Sequence, residues 1–206
     1  MKIIEPSAEL IDEINPEEIL RKIERCGKVS RQSELGDAEN FVRKIIKLGH
    51  ESVLEHVSLT FKIVCDRAIM AELTRHRLAS FTVESTRYVK YEELTVIAPF
   101  GRGGYCKDDP NELDDEAIRW NTWEEQILQA EDTYFILLER GATPEIARAV
   151  LPLCLATELY MTANLRELRH ILKLRTAKAA HPQMRQVAGQ ILNILREKLP
   201  VIVEDI

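Results

Sequence analysis

The sequence predicts an α+β fold in which helices pack on a small, mainly antiparallel sheet within a single domain, residues 1–206. Two observations carry that class. Residues 57–64 (VSLTFKIV) alternate apolar and polar side chains with period two and are rich in β-branched residues, which marks a half-buried strand. Around it lie several segments with helical spacing of apolar residues, bounded by Asn, Asp or Thr at the start and by Gly at the end. No internal repeat, low-complexity tract or domain-sized linker interrupts the 206 residues, of which 45% are hydrophobic and 30% charged. That is enough chain for a core without disulfide or metal staples.

Met1 to Glu5 is expected as a short strand closed by Pro6. Asn15, Pro16, Glu17 and Glu18 supply an N-cap, a first-turn proline and first-turn acids, so a helix should run to about Arg25. Residues 26–31, with Gly27, then read as a loop. A second helix is expected over 37–48, stopped by Gly49. The strand at 57–64 follows, and Asp66 caps a helix through Ile69, Met70 and Leu73. Residues 93–99 form a second strand ended by Pro99. Gly101 to Tyr105 read as a flexible linker, lacking the strand and helix context of a dinucleotide fingerprint. A long surface helix should cover 114–140, with Ile118, Trp123, Ile127, Leu128 and residues 135–138 as apolar positions and Gly141 as its stop. Thr143 and Pro144 open a short helix that breaks at Pro152, and residues 153–162 are expected as a strand. Helices over 164–175, with Leu165, Leu168 and Leu172 as the core stripe, and over 182–198 close the fold.

Composition excludes several classes. No run of about 18 apolar residues is present, and the N-terminus lacks the basic start and apolar stretch of a signal peptide, so the expected location is cytoplasmic. The net charge of −6 argues against general nucleic-acid binding. The charges are segregated, however: ten acids fall between Asp108 and Asp132, whereas six Lys or Arg stand against one acid between Asn164 and Arg185. The cysteines Cys26, Cys65, Cys106 and Cys154 form no Cys-x-x-Cys pair and read as reduced structural thiols.

Residues 75–88 (RHRLASFTVESTRY) concentrate three arginines, a histidine and five hydroxyls against one acid, Glu84, where a helix is expected to give way to a loop. Guanidiniums and hydroxyls so placed suit an anionic, phosphorylated ligand. Arg75 and Arg77, two apart, would diverge on a helix, which points to two anionic groups or two ligands. Ahead of the strand, His50, Glu51, Glu55 and His56 offer imidazole and carboxylate donors, but their spacing matches no standard metal motif, and capping and hydrogen-bonding roles compete.

The spacing Arg-His-Arg, seven residues, Ser-Thr-Arg-Tyr resembles the signature of the flavin-dependent thymidylate synthases. Gly-His-x-Ser-x-x-Glu-His at 49–56, Arg-x-Val-Leu-Pro at 148–152 and Asn-x-Arg-Glu-Leu-Arg-His at 164–170, with Leu-Arg at 174–175, occur in that family's order. The resemblance implies an α+β homotetramer with active sites built where subunits meet. It implies synthesis of dTMP from dUMP, with methylenetetrahydrofolate as carbon donor and NADPH-reduced FAD as hydride source, and without a cysteine nucleophile. By resemblance, His50, Ser52, Glu55, Arg75, His76, Arg77, Asn164, Arg166 and His170 belong to the FAD site. Glu72, Arg75, Glu84, Ser85, Thr86, Arg87 and Arg148 belong to the dUMP site, and Arg175 contacts the uracil ring as the catalytic arginine. The sequence departs from the commonest family pattern at Glu72, at Thr82-Val83 and at His170. The competing reading is a metal-dependent nucleotide phosphohydrolase with His50, Glu55 and His56 as ligands.

Overall fold

A computed structural model describes residues 1–99 and 115–206. The glycine-rich segment 101–105, Cys106 and the expected start of the long helix at Asp114 lie outside the described residues. The class is α+β with a small, mainly antiparallel sheet. The chain divides into two compact units. The first comprises Met1–Pro6, Val64–Ala71 and Val83–Glu158, and the second comprises Ser7–Ile63, Glu72–Thr82 and Leu159–Ile206.

The second unit holds most of the four-stranded sheet, ordered β2-β3-β6-β4 from β2 (Ser7–Leu10), β3 (Ser58–Asp66), β6 (Ala156–Asn164) and β4 (Ser80–Val83). β3 buries Leu59, Phe61 and Ile63, the alternate positions that its sequence marks. Its helices are α1 (Pro16–Lys28), α2 (Ala38–Lys47), α6 (Leu165–Arg175), α7 (Pro182–Lys198) and α8 (Pro200–Val203). The core joins Ile23, Val42, Leu168, Leu172, Met184 and Leu195, all buried.

Three local signals act as expected. The Asn15 side chain accepts from the backbone N–H of Glu17 and Glu18 at 3.1 and 3.4 Å, with Pro16 at the first helical position. Asp37 accepts from Asn40 N–H at 3.0 Å to start α2. Gly49 ends it with φ of 72°, in the left-handed region that glycine adopts without a Cβ penalty.

Helix α1 corrects the reading at its C-terminus, running to Lys28 rather than stopping near Arg25. Gly27 is a contact glycine, not a terminator: a Cβ there would sit 2.5 Å from the Phe41 ring of α2. Buried Glu24 fastens the following turn, accepting from Gly36 N–H at 2.7 Å and pairing with Arg21 and Lys28, each at 2.8 Å. Burial pushes the Glu24 carboxyl up, but the bonds from Lys28, Gly36 and Arg21 outweigh it and hold the carboxyl below its usual range.

In the first unit, β1 (Lys2–Ile3) pairs in parallel with β5 (Thr95–Val96), so only two residues of the strand expected at 93–99 are in a ladder. Helix α4 spans Asp115–Glu139 and ends before Gly141, whose φ is 88°. Its buried side chains are Ala117, Trp120, Ile127, Glu131 and Tyr134, whereas Ile118, Leu128 and Ile136 are exposed. The expected apolar stripe was therefore drawn partly on the wrong face. Tyr134 is central to a core with Leu94, Ala147 of α5 (Pro144–Ala147) and Leu155.

The four-residue strands β2 and β4 have no counterpart in the sequence reading, and the strand expected at 153–162 lies at 156–164. β4 occupies ground read as loop, in the middle of the Arg75–Tyr88 stretch. Among the described residues, no helix is long and apolar enough to cross a membrane.

Candidate functional site

In the second unit, the N-terminus of α6 is fixed by Asn164, whose Oδ1 accepts from Glu167 N–H at 2.9 Å. α6 packs against a 3₁₀ helix over Glu51–His56. Between them opens a cleft of about 520 Å³ lined by Glu51, Glu55 and Leu78 and, from the cap and body of α6, by Asn164, Arg166, Glu167, Arg169, His170 and Lys173. Arg166 Nη1 donates to Glu55 Oε1 at 2.5 Å, which unites two residues expected to share one site.

Arg169, also part of the cleft lining, is 1% exposed. It grips Asp205 with two hydrogen bonds of 2.7 and 2.8 Å and Glu51 with two of 3.1 and 2.9 Å, and it also donates to the Ile202 carbonyl. The Arg169 guanidinium, with Lys173 behind it, holds the Asp205 carboxyl well below the usual range.

A second cluster in the same unit centres on Arg175. Its Nε donates to His76 Nε2 at 3.0 Å, its Nη1 to Glu72 Oε2 at 3.0 Å, and its Nη2 to the Glu72 carbonyl at 3.2 Å. A guanidinium carries five N–H donors, and three of them are used by partners among the described residues. His76 is buried, with Nδ1 3.4 Å from Glu167 Oε1 and its ring edge-on to His170 at 5.9 Å. Burial, then the nearby charge of Arg175 and then His170, push the His76 imidazole down to about 4. Helix α3 (Arg67–Leu73) ends before Arg75, so Arg75 and Arg77 lie in the following turn and both are exposed.

The depressed His76 pKa has a sign. Between the ordinary histidine value and about 4, the unfolded chain takes up a proton that the folded chain refuses, so stability is full above pH 6.5 and falls as the solution is acidified. The unfolding free energy from urea titration should drop between pH 6.5 and 4.5 in the wild type, by at most about 3 kcal/mol. His76→Gln should flatten that segment of the curve. An unchanged pH dependence would show that His76 is not the group responsible.

In the first unit, Ser85, Thr86, Arg87 and Arg148 come together. Arg148 Nη1 donates to Thr86 Oγ1 at 3.3 Å, and Arg87 N–H donates to Ser85 Oγ at 3.3 Å. Arg87 Nε pairs with Glu145 at 3.0 Å, and its guanidinium stacks over Tyr88. Glu84 accepts from Tyr91 Oη at 2.5 Å, while its carbonyl accepts from Arg67 Nη2 at 3.2 Å. Burial, and after it the bond to Glu84, push the Tyr91 phenol up. Cys65 is buried, and burial raises its thiol to about 12, so it offers no thiolate.

The expected site residues thus fall in two places. Glu55, His76, Asn164, Arg166, His170, Glu72 and Arg175 meet within the second unit, and Ser85, Thr86, Arg87 and Arg148 meet in the first. His50, just before the 3₁₀ helix, and Ser52 on it are exposed, and from that helix the cleft takes Glu51 and Glu55 instead. The metal reading is not supported. Among the described residues, no three His, Cys, Asp or Glu side chains are placed to hold an ion, and Glu55 is engaged by Arg166.

Sequence reasoning missed Glu167, Arg169 and Tyr91. Glu167 stands three residues after the Asn164 cap, the position from which a capping-box acid turns back. Arg169 continues the spacing 165, 168, 169, 172, which is the buried face of α6. Tyr91 carried no local signal.

A family model described as thymidylate synthase complementing protein matches residues 9–201. The chain is 38% identical over 161 residues to the flavin-dependent thymidylate synthase of Thermococcus kodakarensis, covering 76% of this chain and 61% of that protein. It is 34% identical over 163 residues to the Pyrococcus furiosus protein of the same name, covering 79% and 64%. The Thermotoga neapolitana flavin-dependent thymidylate synthase is 35% identical over 179 residues, covering 85% and 80%. The match thus spans less than two thirds of the length of the two archaeal relatives. With 193 consecutive residues matched and three relatives above 30% identity, the chain belongs to the thymidylate synthase complementing protein family.

Proposed function

We propose that the chain is a flavin-dependent thymidylate synthase that converts dUMP to dTMP, with methylenetetrahydrofolate as one-carbon donor. The observation that carries this reading is the state of Arg175: a guanidinium fixed by three hydrogen bonds to Glu72 and His76, with two N–H donors to spare. Those donors bind the pyrimidine carbonyl edge and stabilise negative charge developing on the ring, without reorganising when it appears. Ser85, Thr86, Arg87 and Arg148 hold the nucleotide phosphate, since guanidinium and hydroxyl donors match a phosphate dianion. Glu84 anchors its loop through Tyr91 and Arg67, supplying a carboxylate next to Val83, where the commonest family pattern has one.

The cleft beside α6 suits FAD. Asn164, Arg166, His170 and Lys173 provide donors for an anionic pyrophosphate, while two of its acids, Glu51 and Glu55, are neutralised by Arg169 and Arg166. His50, Ser52, Arg75, His76 and Arg77 complete the assignment. FAD reduced by NADPH supplies the hydride when bound, and the protein binds, orients and polarises.

The same reading makes the chain one catalytic domain in a cytoplasmic homotetramer with shared active sites, acting on small molecules and on neither nucleic acid nor membrane. Large exposed apolar side chains support assembly: Leu78 (77% exposed) and Leu174 in the second unit, Leu153 and Ile146 in the first. The test is reconstitution. dTMP should form from dUMP only when FAD, NADPH and methylenetetrahydrofolate are all present, and formation without flavin, or none in the complete mixture, would overturn the assignment.

A further inference from the structure

Arg175 can donate to His76 only if Nε2 of the imidazole carries its lone pair. Guanidinium groups have no acceptor, so the ring must be neutral with its proton on Nδ1. Nδ1 faces the Glu167 carboxylate at 3.4 Å, and both side chains are buried. The other charged and titratable groups facing His76 are Arg175 itself and His170, edge-on. Glu167 is itself fixed on the first turn of α6, where its N–H donates to Asn164. A chain of contacts therefore runs from the helix cap to the guanidinium: Asn164, Glu167, His76, Arg175.

We propose that Glu167 is a positioning residue for Arg175, acting through His76: its carboxylate beside Nδ1 favours the tautomer with the proton on Nδ1, which leaves Nε2 free to fix the Arg175 guanidinium. A ring with the opposite tautomer would present N–H against N–H and release the arginine from one of its three holds. Glu72 would then be left as the sole anchor, and the two ligand-facing donors would lose their direction. The consequence for turnover rests on the function proposed above. The tautomer and the fixation of Arg175 do not.

The test uses the full-length chain, with its folding verified by urea unfolding, in three forms: wild type, Glu167→Gln, which keeps an acceptor oxygen, and Glu167→Leu, which removes it at similar volume. Nitrogen NMR of labelled histidine and arginine reads the His76 tautomer and the exchange of the Arg175 Nε proton with water. Wild type and Glu167→Gln should show Nδ1–H and a protected Nε proton. In Glu167→Leu that proton should exchange at least about tenfold faster, and kcat measured at saturating FAD should fall by about ten- to a hundredfold. An Nε2–H tautomer in the wild type, unchanged protection in Glu167→Leu, or equal loss of kcat in both variants would overturn the role. If no variant makes dTMP, the functional reading fails, while the NMR arms still decide what Glu167 does.

Discussion

Arg175→Ala lowers dTMP formation by a factor on the order of 10²–10³ while leaving flavin retention within about twofold of wild type. The expectation follows from how the side chain is held. Three of its donors are spent on Glu72 and His76, so under the proposed function it is a pre-set electrostatic element whose spare N–H groups would meet charge only as the pyrimidine becomes anionic. Loss of such an element falls on kcat and kcat/KM together. Removing it leaves the cleft of Asn164, Arg166, His170 and Lys173 intact, because Arg175 is not among its lining residues. Steady-state kinetics with dUMP and spectroscopic titration with FAD separate the two effects. Equal loss of flavin binding and turnover would make Arg175 a structural residue.

Arg169→Met destabilises the flavin-free protein by about 3 kcal/mol, at the lower end for breaking a buried ion pair. The methionine preserves packing volume, so the loss is electrostatic. Glu51 and Asp205 are 24% and 45% exposed, and rehydration of their carboxylates is what keeps the cost at the low end. Asp205→Asn removes only one arm and should cost less, about 1 kcal/mol. The carboxyl of Asp205 is depressed in the folded chain, so its contribution is full above the ordinary carboxylate range and is lost as pH falls toward the folded value. Urea unfolding at fixed protein concentration, with no flavin present, gives the comparison free of ligand linkage. A change below about 0.5 kcal/mol for Arg169→Met would mean that the network is only surface decoration.

Helix signals were legible because they are local. Asn15 with Pro16 and Asp37 with Gly49 each act within a turn of their own position, and the structure uses both. The long strand at β3 was legible through its alternation. The short strands β2 and β4 were not, since four residues carry too little pattern and their pairing is set by partners distant in sequence. Gly27 shows the limit of reading glycine as punctuation: Phe41, fourteen residues later, decides its role. Buried charge was the hardest feature to foresee. Glu24 is stabilised by a backbone N–H twelve residues away, and Arg169 by residues 36 and 118 positions away. Arg169 could still have been found, because it lies on the leucine face of α6.

The site was legible mainly through resemblance. Nothing local joins Arg175 to Glu72, 103 residues earlier, or Arg148 to Thr86, 62 residues earlier. Residue chemistry alone led only to a basic region suited to phosphate. The metal alternative drew on the proximity of His50, Glu55 and His56 in sequence, and the fold does not support it, because those donors do not form a group that could hold an ion.

The visible absorption spectrum of the purified chain, taken before and after adding FAD and removing the excess, tests the flavin assignment most directly. Retained flavin gives bands near about 375 and 450 nm that bleach on addition of NADPH. A chain that neither carries nor retains flavin would contradict the assignment.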